Sequence, residues 1–192
     1  NPAALLARLT ERLPLLAGDN ADQPERFQTM RAAISWSYDL LSPSESLALR
    51  RLSLFRGGFT LEAAASVVLP LDDRPINADL AILDVVAGLC DKSLLAPVDA
   101  IGPVQRFTML ETVREFAYEQ ITSTDDLASV ATTHAAYFRD WAALVEPEFL
   151  GPREAHWLEF FTAEIGNLHL ALHWGVRHDA ELAQRLGASM WA

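Results

Sequence analysis

The sequence predicts a mainly α-helical chain with one small β-hairpin in its middle and antiparallel helices after it. Three observations lead there. Apolar residues recur at the helical period through most of the chain. That period lapses once, across residues 93–109, where two short extended runs flank a Gly-Pro turn. Beyond residue 125 it returns in longer stretches. One of these is apolar on two sides, which places a helix between two neighbours.

Residues 3–12 (AALLARLTER) read as the end of a helix. Residues 13–26 (LPLLAGDNADQPER), with prolines, a glycine and Asp/Asn, read as a connector. Phe27, Met30, Ile34, Tyr38 and Leu41 then recur at helical spacing. Ser42-Pro43-Ser44-Glu45 ends that helix and opens another: Ser42 caps, Pro43 suits the first helical position, and Glu45 reaches back to the cap amide. The expected buried residues there are Leu47, Ala48, Leu52 and Phe55. Gly57-Gly58 breaks this helix, Thr60 caps a short one over 61–68, and 69–76 (LPLDDRPI) form a loop. Asn77 or Asp79 opens a helix with the stripe Leu80, Leu83, Val86, Ala87 and Cys90.

The extended runs 93–98 and 104–109 follow, joined by Asp99-Ala100-Ile101-Gly102-Pro103. Helical spacing resumes at Leu110, Val113, Ala117 and Ile121. Several helices followed by one hairpin is the winged-helix pattern, here with a further helix after the wing. The alternative is an irregular bundle in which 93–108 is only a loop. Thr122-Ser123-Thr124 marks a boundary. Residues 125–145 then bury Leu127, Val130, Ala131, Phe138, Trp141 and Val145, and PEFLGP (147–152) turns the chain. A helix over 153–177 carries Leu158, Phe161, Ile165, Leu168 and Leu172 on one side and Phe160, Leu170, Ala171 and Trp174 on the other. Residues 179–192 begin another helix without a stop signal, so an array of helix pairs interrupted part-way is expected.

Composition narrows the function. The 192 residues are 51% hydrophobic and carry a net charge of −11. This excludes a disordered tail, a collagen and a small disulfide scaffold. The lone cysteine, Cys90, allows no internal disulfide and fits a reducing compartment. No apolar run approaches a membrane span, and Asn1-Pro2-Ala3-Ala4 has no signal-peptide character, so a cytoplasmic location is expected. Residues 1–31 are neutral, with four basic and four acidic groups; 32–120 carry seven against twelve and 121–192 four against ten. Nucleic-acid affinity rests on Lys and Arg neutralising phosphates. Lys92 is the only lysine, and the one dense basic group is Arg50, Arg51 and Arg56. That group reads as a solvated helix face, or as a contact to an acidic partner or phosphate.

Catalytic signatures are missing from the sequence. No glycine-rich loop ends in Gly-Lys-Ser/Thr, so there is no P-loop, and Gly57-Gly58 reads as a helix break. No Gly-x-Ser-x-Gly elbow occurs. Cys90 sits on an apolar stripe as a small core residue. His169 and His173 have metal-ligand spacing but lack further ligands, so they read as edge-of-core histidines. His134 reads as a satisfied core histidine, and His156 and His178 as helix-end residues. Asp72-Asp73 and Asp125-Asp126 fit a loop and a helix start. No catalytic or metal-binding residue is expected.

Longer strings carry a resemblance. TMRAAISWSYDLLSPSESLALRRLSLFRGGFTLEAA (29–64), LDVVAGLCDKSLL (83–95) and RFTMLETVREFAYEQI (106–121) resemble the region after the nucleotide-binding core of bacterial STAND-type (NB-ARC-like) ATPases. Many of these are LuxR- or AfsR-like transcriptional regulators. HAAYFRDWA (134–142) and WLEFFTAEIGNLHLALHW (157–174) resemble the start of their tetratricopeptide-like sensor. The resemblance implies that 1–26 are the tail of the helical domain after the ATPase core plus a linker, 27–121 the winged helix, and 122–192 the start of the sensor. It places ATP or ADP on a separate nucleotide-binding domain, with no cofactor in this segment. The expected partner is that upstream ATPase domain, with a homo-oligomer on activation, no membrane contact, and DNA contact through another domain. Relatives place a histidine that touches the ADP phosphate just after the wing. The matching residues here are Met109, Leu110 and Glu111, with leucine at the histidine position, and leucine cannot donate to a phosphate.

The function these features imply is a non-catalytic regulatory module. It couples a helical sensor to a nucleotide switch that controls transcription. The alternative is direct DNA binding by the winged helix through a recognition helix near 79–90.

Overall fold

The computed structural model describes residues 25–69, 78–122, 126–150 and 154–191. The expected helix over 3–12, the connector after it and most of the 69–76 loop lie outside these. Helix α1 (Glu25–Asp39) straddles a division of the chain between Trp36 and Ser37, and the described residues from Ser37 onward form one compact unit.

Helix α2 (Pro43–Leu52) starts where its capping box predicts. Ser42 Oγ accepts from the Glu45 amide at 3.3 Å, and the Ser42 amide donates to Glu45 Oε2 at 2.9 Å. Its buried residues are Ala48, Leu49 and Leu52; Leu49 takes the place expected for Leu47. Strand β1 (Phe59–Thr60) leads directly into α3 (Leu61–Val68), where Thr60 Oγ1 accepts from the Ala63 amide at 3.1 Å. Two residues are too few to show strand alternation, so β1 had no sequence signal.

Helix α4 (Ala78–Asp91) buries Ile82, Val86 and Leu89, while Leu80, Leu83 and Ala87 are exposed. Of the expected stripe only Val86 is buried and Cys90 half-buried, so the core face is rotated toward Ile82 and Leu89. Both faces of this helix are apolar at helical spacing, and periodicity alone cannot rank them. Strands β2 (Ala96–Ile101) and β3 (Val104–Thr108) form the expected hairpin, irregular between Val98 and Ile101. With β1 they make a three-stranded antiparallel sheet of order β1-β3-β2, pairing Phe59 with Phe107 and Thr60 with Arg106. Helix α5 (Glu111–Thr122) buries Val113, Phe116, Ala117 and Ile121. Leu110 precedes it and is exposed, contrary to its expected core place.

Helices α6 (Leu127–Val145), α7 (Glu154–His178) and α8 (Ala180–Trp191) pack against one another, with a 3-10 turn over Glu146–Leu150 between the first two. Along α6 the buried face is Val130, His134, Ala135, Phe138, Ala142 and Val145; Leu127, Ala131 and Trp141 are only half-buried. Along α7 it is Phe160, Glu164, Asn167, Leu168 and Ala171, whereas Leu158 and Ile165 are largely exposed. Two polar residues thus occupy a face that apolar counting assigned elsewhere. The Asp179 carboxylate caps α8 through the Leu182 amide at 3.0 Å.

The hairpin side and the helical side share one core. The Phe55 ring lies 5.1 Å from both Phe59 and His134 and 6.1 Å from Phe138, and His134 lies 4.7 Å from Phe138. Edge-to-face and tilted aromatic contacts at such distances are favourable beyond the area they bury.

Candidate functional site

The densest polar structure lies where the hairpin meets α7. Arg106 sits mid-strand in β3, the central strand, and its guanidinium pairs with the Glu164 carboxylate of α7. The two side chains are only 3% and 4% exposed, so this is a buried ion pair. Such a pair persists only if its remaining hydrogen-bonding capacity is met. Asn167, one turn further along α7, meets it. Its amide donates to Glu164 Oε2 at 2.6 Å and to the Gly58 carbonyl at 3.0 Å, and its Oδ1 accepts from the Arg56 amide at 2.6 Å. The Arg106 guanidinium also approaches the Gly57 and Ala163 carbonyls at 3.5 and 3.4 Å.

Two glycines make this approach possible. A Cβ on Gly58 would stand 2.6 Å from the Phe107 carbonyl oxygen, and the residue has φ of +95°, a conformation L side chains rarely adopt. A Cβ on Gly166 would stand 2.9 Å from the Arg56 carbonyl oxygen. The helix ends at Leu52, ahead of Gly57-Gly58, so the pair does not itself break it; it lies in the connection to β1, where the Gly58 carbonyl accepts from Asn167 of α7.

His134 completes the junction from α6. It is 1% exposed, and burial pushes its imidazole down to about 4, opposed by a hydrogen bond with Asn167. It is therefore neutral at pH 7. Its Nε2 has no hydrogen-bond partner among the described residues. Beside it is a cavity of about 100 Å³. Leu54 and Arg56 line it from the segment after α2, Tyr118 from α5, Leu127 and Ala131 from α6, and Leu170 and Trp174 from α7.

The surfaces a nucleic-acid reader would use are differently equipped. Helix α4, which covers the recognition-helix candidate near 79–90, has no Lys or Arg between Ala78 and Asp91. Lys92 donates to Glu45 Oε1 at 2.7 Å, and this hydrogen bond, with that from the Ser42 amide, holds the Glu45 carboxyl below its ordinary range. Of the arginine group, Arg51 forms a fork on Asp126 at 2.8 and 3.0 Å and donates to the Val68 carbonyl at 2.6 Å. Arg50 donates to the Tyr38 hydroxyl at 2.9 Å.

Met109 is half-buried, while Leu110 and Glu111 are exposed at the start of α5. Glu111 pairs with Arg114, whose hydrogen bonds lower the Glu111 pKa. His169 and His173 are exposed, and among the described residues no group of three or more His, Cys, Asp or Glu is placed to hold a metal. Cys90 is half-buried, and burial raises its thiol pKa. No described helix is long and apolar enough to cross a membrane. The residues that sequence reasoning missed are Arg106, Glu164 and Asn167. A signal existed: Phe160, Glu164, Asn167 and Ala171 follow helical spacing, so two polar side chains stand inside an apolar row.

Helix, strand, helix, helix and hairpin over this span define a winged-helix domain. Residues 41–122 match the sequence family described as a winged helix-turn-helix domain. Over 186 residues, 97% of its length, the chain is 33% identical to a Mycobacterium tuberculosis protein named "Putative HTH-type transcriptional regulator Rv0890c" and to its Mycobacterium bovis counterpart Mb0914c. It is 31% identical over 141 residues, 72% of its length, to the "Uncharacterized protein Rv0894" of Mycobacterium tuberculosis. The chain spans 20% of the length of the first two relatives and 34% of the third. No solved structure matches it.

Proposed function

We propose that the chain is a regulatory segment of a helix-turn-helix transcriptional regulator, in which the winged helix transmits a change in the helical bundle by packing. The relatives' names and the family match support the transcriptional part. The buried Arg106–Glu164–Asn167 junction carries the packing part. It commits the only basic residue of the hairpin to the protein interior and joins the wing to α7. On this reading the segment performs no chemistry itself. Any nucleotide switch and any separate DNA-reading domain belong to other parts of a longer protein, and the chain alone binds ATP or ADP no better than millimolar.

The rival reading, direct DNA contact by this winged helix, is favoured by the helix-turn-helix family itself. The test is duplex binding followed by fluorescence polarisation across a salt series. The acid-rich α4 and the internally engaged Lys92 predict no binding tighter than the non-specific range of roughly 1–100 μM. Tighter binding that weakens steeply with salt would install the rival. Coupling itself is read by hydrogen exchange in Glu164→Gln. Faster exchange is expected in both α7 and β3; a change confined to α7 refutes transmission through the junction.

A further inference from the structure

The cavity beside His134 is lined by Arg56, a cation with no ion pair among the described residues. Arg56 is half-buried on its wall, and its guanidinium makes no ion pair or hydrogen bond with any described residue. Burial, then the nearby Arg114 charge, lowers its pKa; Glu111 and Glu115 act on it only at a distance, and Arg114 already holds Glu111. The neighbouring wall residue His134 has an unpartnered buried Nε2. The remaining wall is mostly apolar, made by Leu54, Leu127, Ala131 and Leu170 with the Trp174 ring, and Tyr118 completes it. An apolar pocket with a few convergent polar groups is the usual form of a small-ligand site.

We propose that this cavity binds a small organic carboxylate, its carboxylate on the Arg56 guanidinium and its apolar body between α6 and α7. Guanidinium is the side chain best matched to carboxylate, through two parallel hydrogen bonds. The size follows from the cavity: a closed void of about 150 Å³ accommodates benzene, so about 100 Å³ suits a branched body of about four or five carbons. Because the walls come from both the winged-helix domain and α6–α7, such a ligand bridges the two sides of the junction. That regulatory meaning rests on the function proposed above; the binding does not.

The test titrates isovalerate, isovaleramide and acetate into the 192-residue chain and follows saturation-transfer NMR. Isovalerate should bind about tenfold or more tighter than either comparator, since the amide lacks the charge and acetate the apolar body. Arg56→Gln keeps the backbone bond to Asn167 and should erase the preference for isovalerate over isovaleramide. Equal binding of acid and amide to the unmodified chain, or no saturation transfer from isovalerate at millimolar concentration, overturns the proposal even where the variant does not fold. Isovalerate binding that persists alongside failed coupling in Glu164→Gln would retain the site and remove only its regulatory meaning.

Discussion

Replacing Glu164 with glutamine keeps the shape of the junction and removes its negative charge. Arg106, 3% exposed at its side chain, then remains charged in the interior with only amide and carbonyl oxygens around it. Breaking one side of a buried ion pair typically costs about 3–5 kcal/mol. Glu164 accepts from Arg106 through Oε1 and from Asn167 through Oε2; the single glutamine oxygen can keep the Arg106 contact but not the Asn167 bond, and retaining that contact favours the lower end, about 3 kcal/mol. For a unit of this size each kcal/mol moves Tm by roughly 2–4 °C, so a fall of roughly 6–12 °C is expected. Removing both charges, Arg106→Met with Glu164→Met, leaves no stranded ion and should lie within about 2 kcal/mol of the parent, the residue being mainly the lost Asn167 bond. Urea denaturation followed by circular dichroism on the parent, Arg106→Met, Glu164→Met and the double variant closes a cycle that gives the coupling energy, with Glu164→Gln measured beside it. A Glu164→Gln loss below about 1 kcal/mol, or a double variant as unstable as the sum of the singles, would refute a buried, mutually dependent pair.

Two further outcomes follow from the same region. The folded-state pKa of His134 is lowered from 6.5 to about 4, so the unfolded chain takes up the proton first. Its contribution is therefore complete above about pH 6.5 and lost as pH falls toward 4. The loss is roughly 3 kcal/mol at 1.36 kcal/mol per unit, and urea midpoints across that range should flatten in His134→Leu. An unchanged pH slope in the variant would contradict it. Gly58→Ala meets both the positive φ and the Phe107 carbonyl, and should lower stability by more than about 2 kcal/mol in thermal melts; a neutral substitution would show that the loop relaxes freely.

Much of the fold was legible because its signals are local. Ser42, Pro43 and Glu45 define a helix start within four residues, and Thr60 does so alone. The Gly-Pro turn defines the hairpin. What failed was the choice between competing faces: α4 is apolar on two sides, and only packing selects Ile82 over Leu83. The junction was hidden for another reason. Arg106 and Glu164 are 58 residues apart, so neither makes sense locally: one reads as a strand charge and the other as an ordinary surface acid. Only the tertiary fold, with α7 admitted against Arg56 by Gly166, turns them into partners. Arg51 and Asp126, 75 residues apart, were obscured in the same way.

The aromatic cluster of Phe55, Phe59, His134 and Phe138 crosses Thr122, where the match to the winged helix-turn-helix family ends. The matched winged-helix stretch is therefore smaller than the stretch that packs around one core. Cutting after Thr122 would leave Phe55 and Phe59 facing water, and such a truncated piece should be sticky and loosely ordered rather than a free-standing miniature.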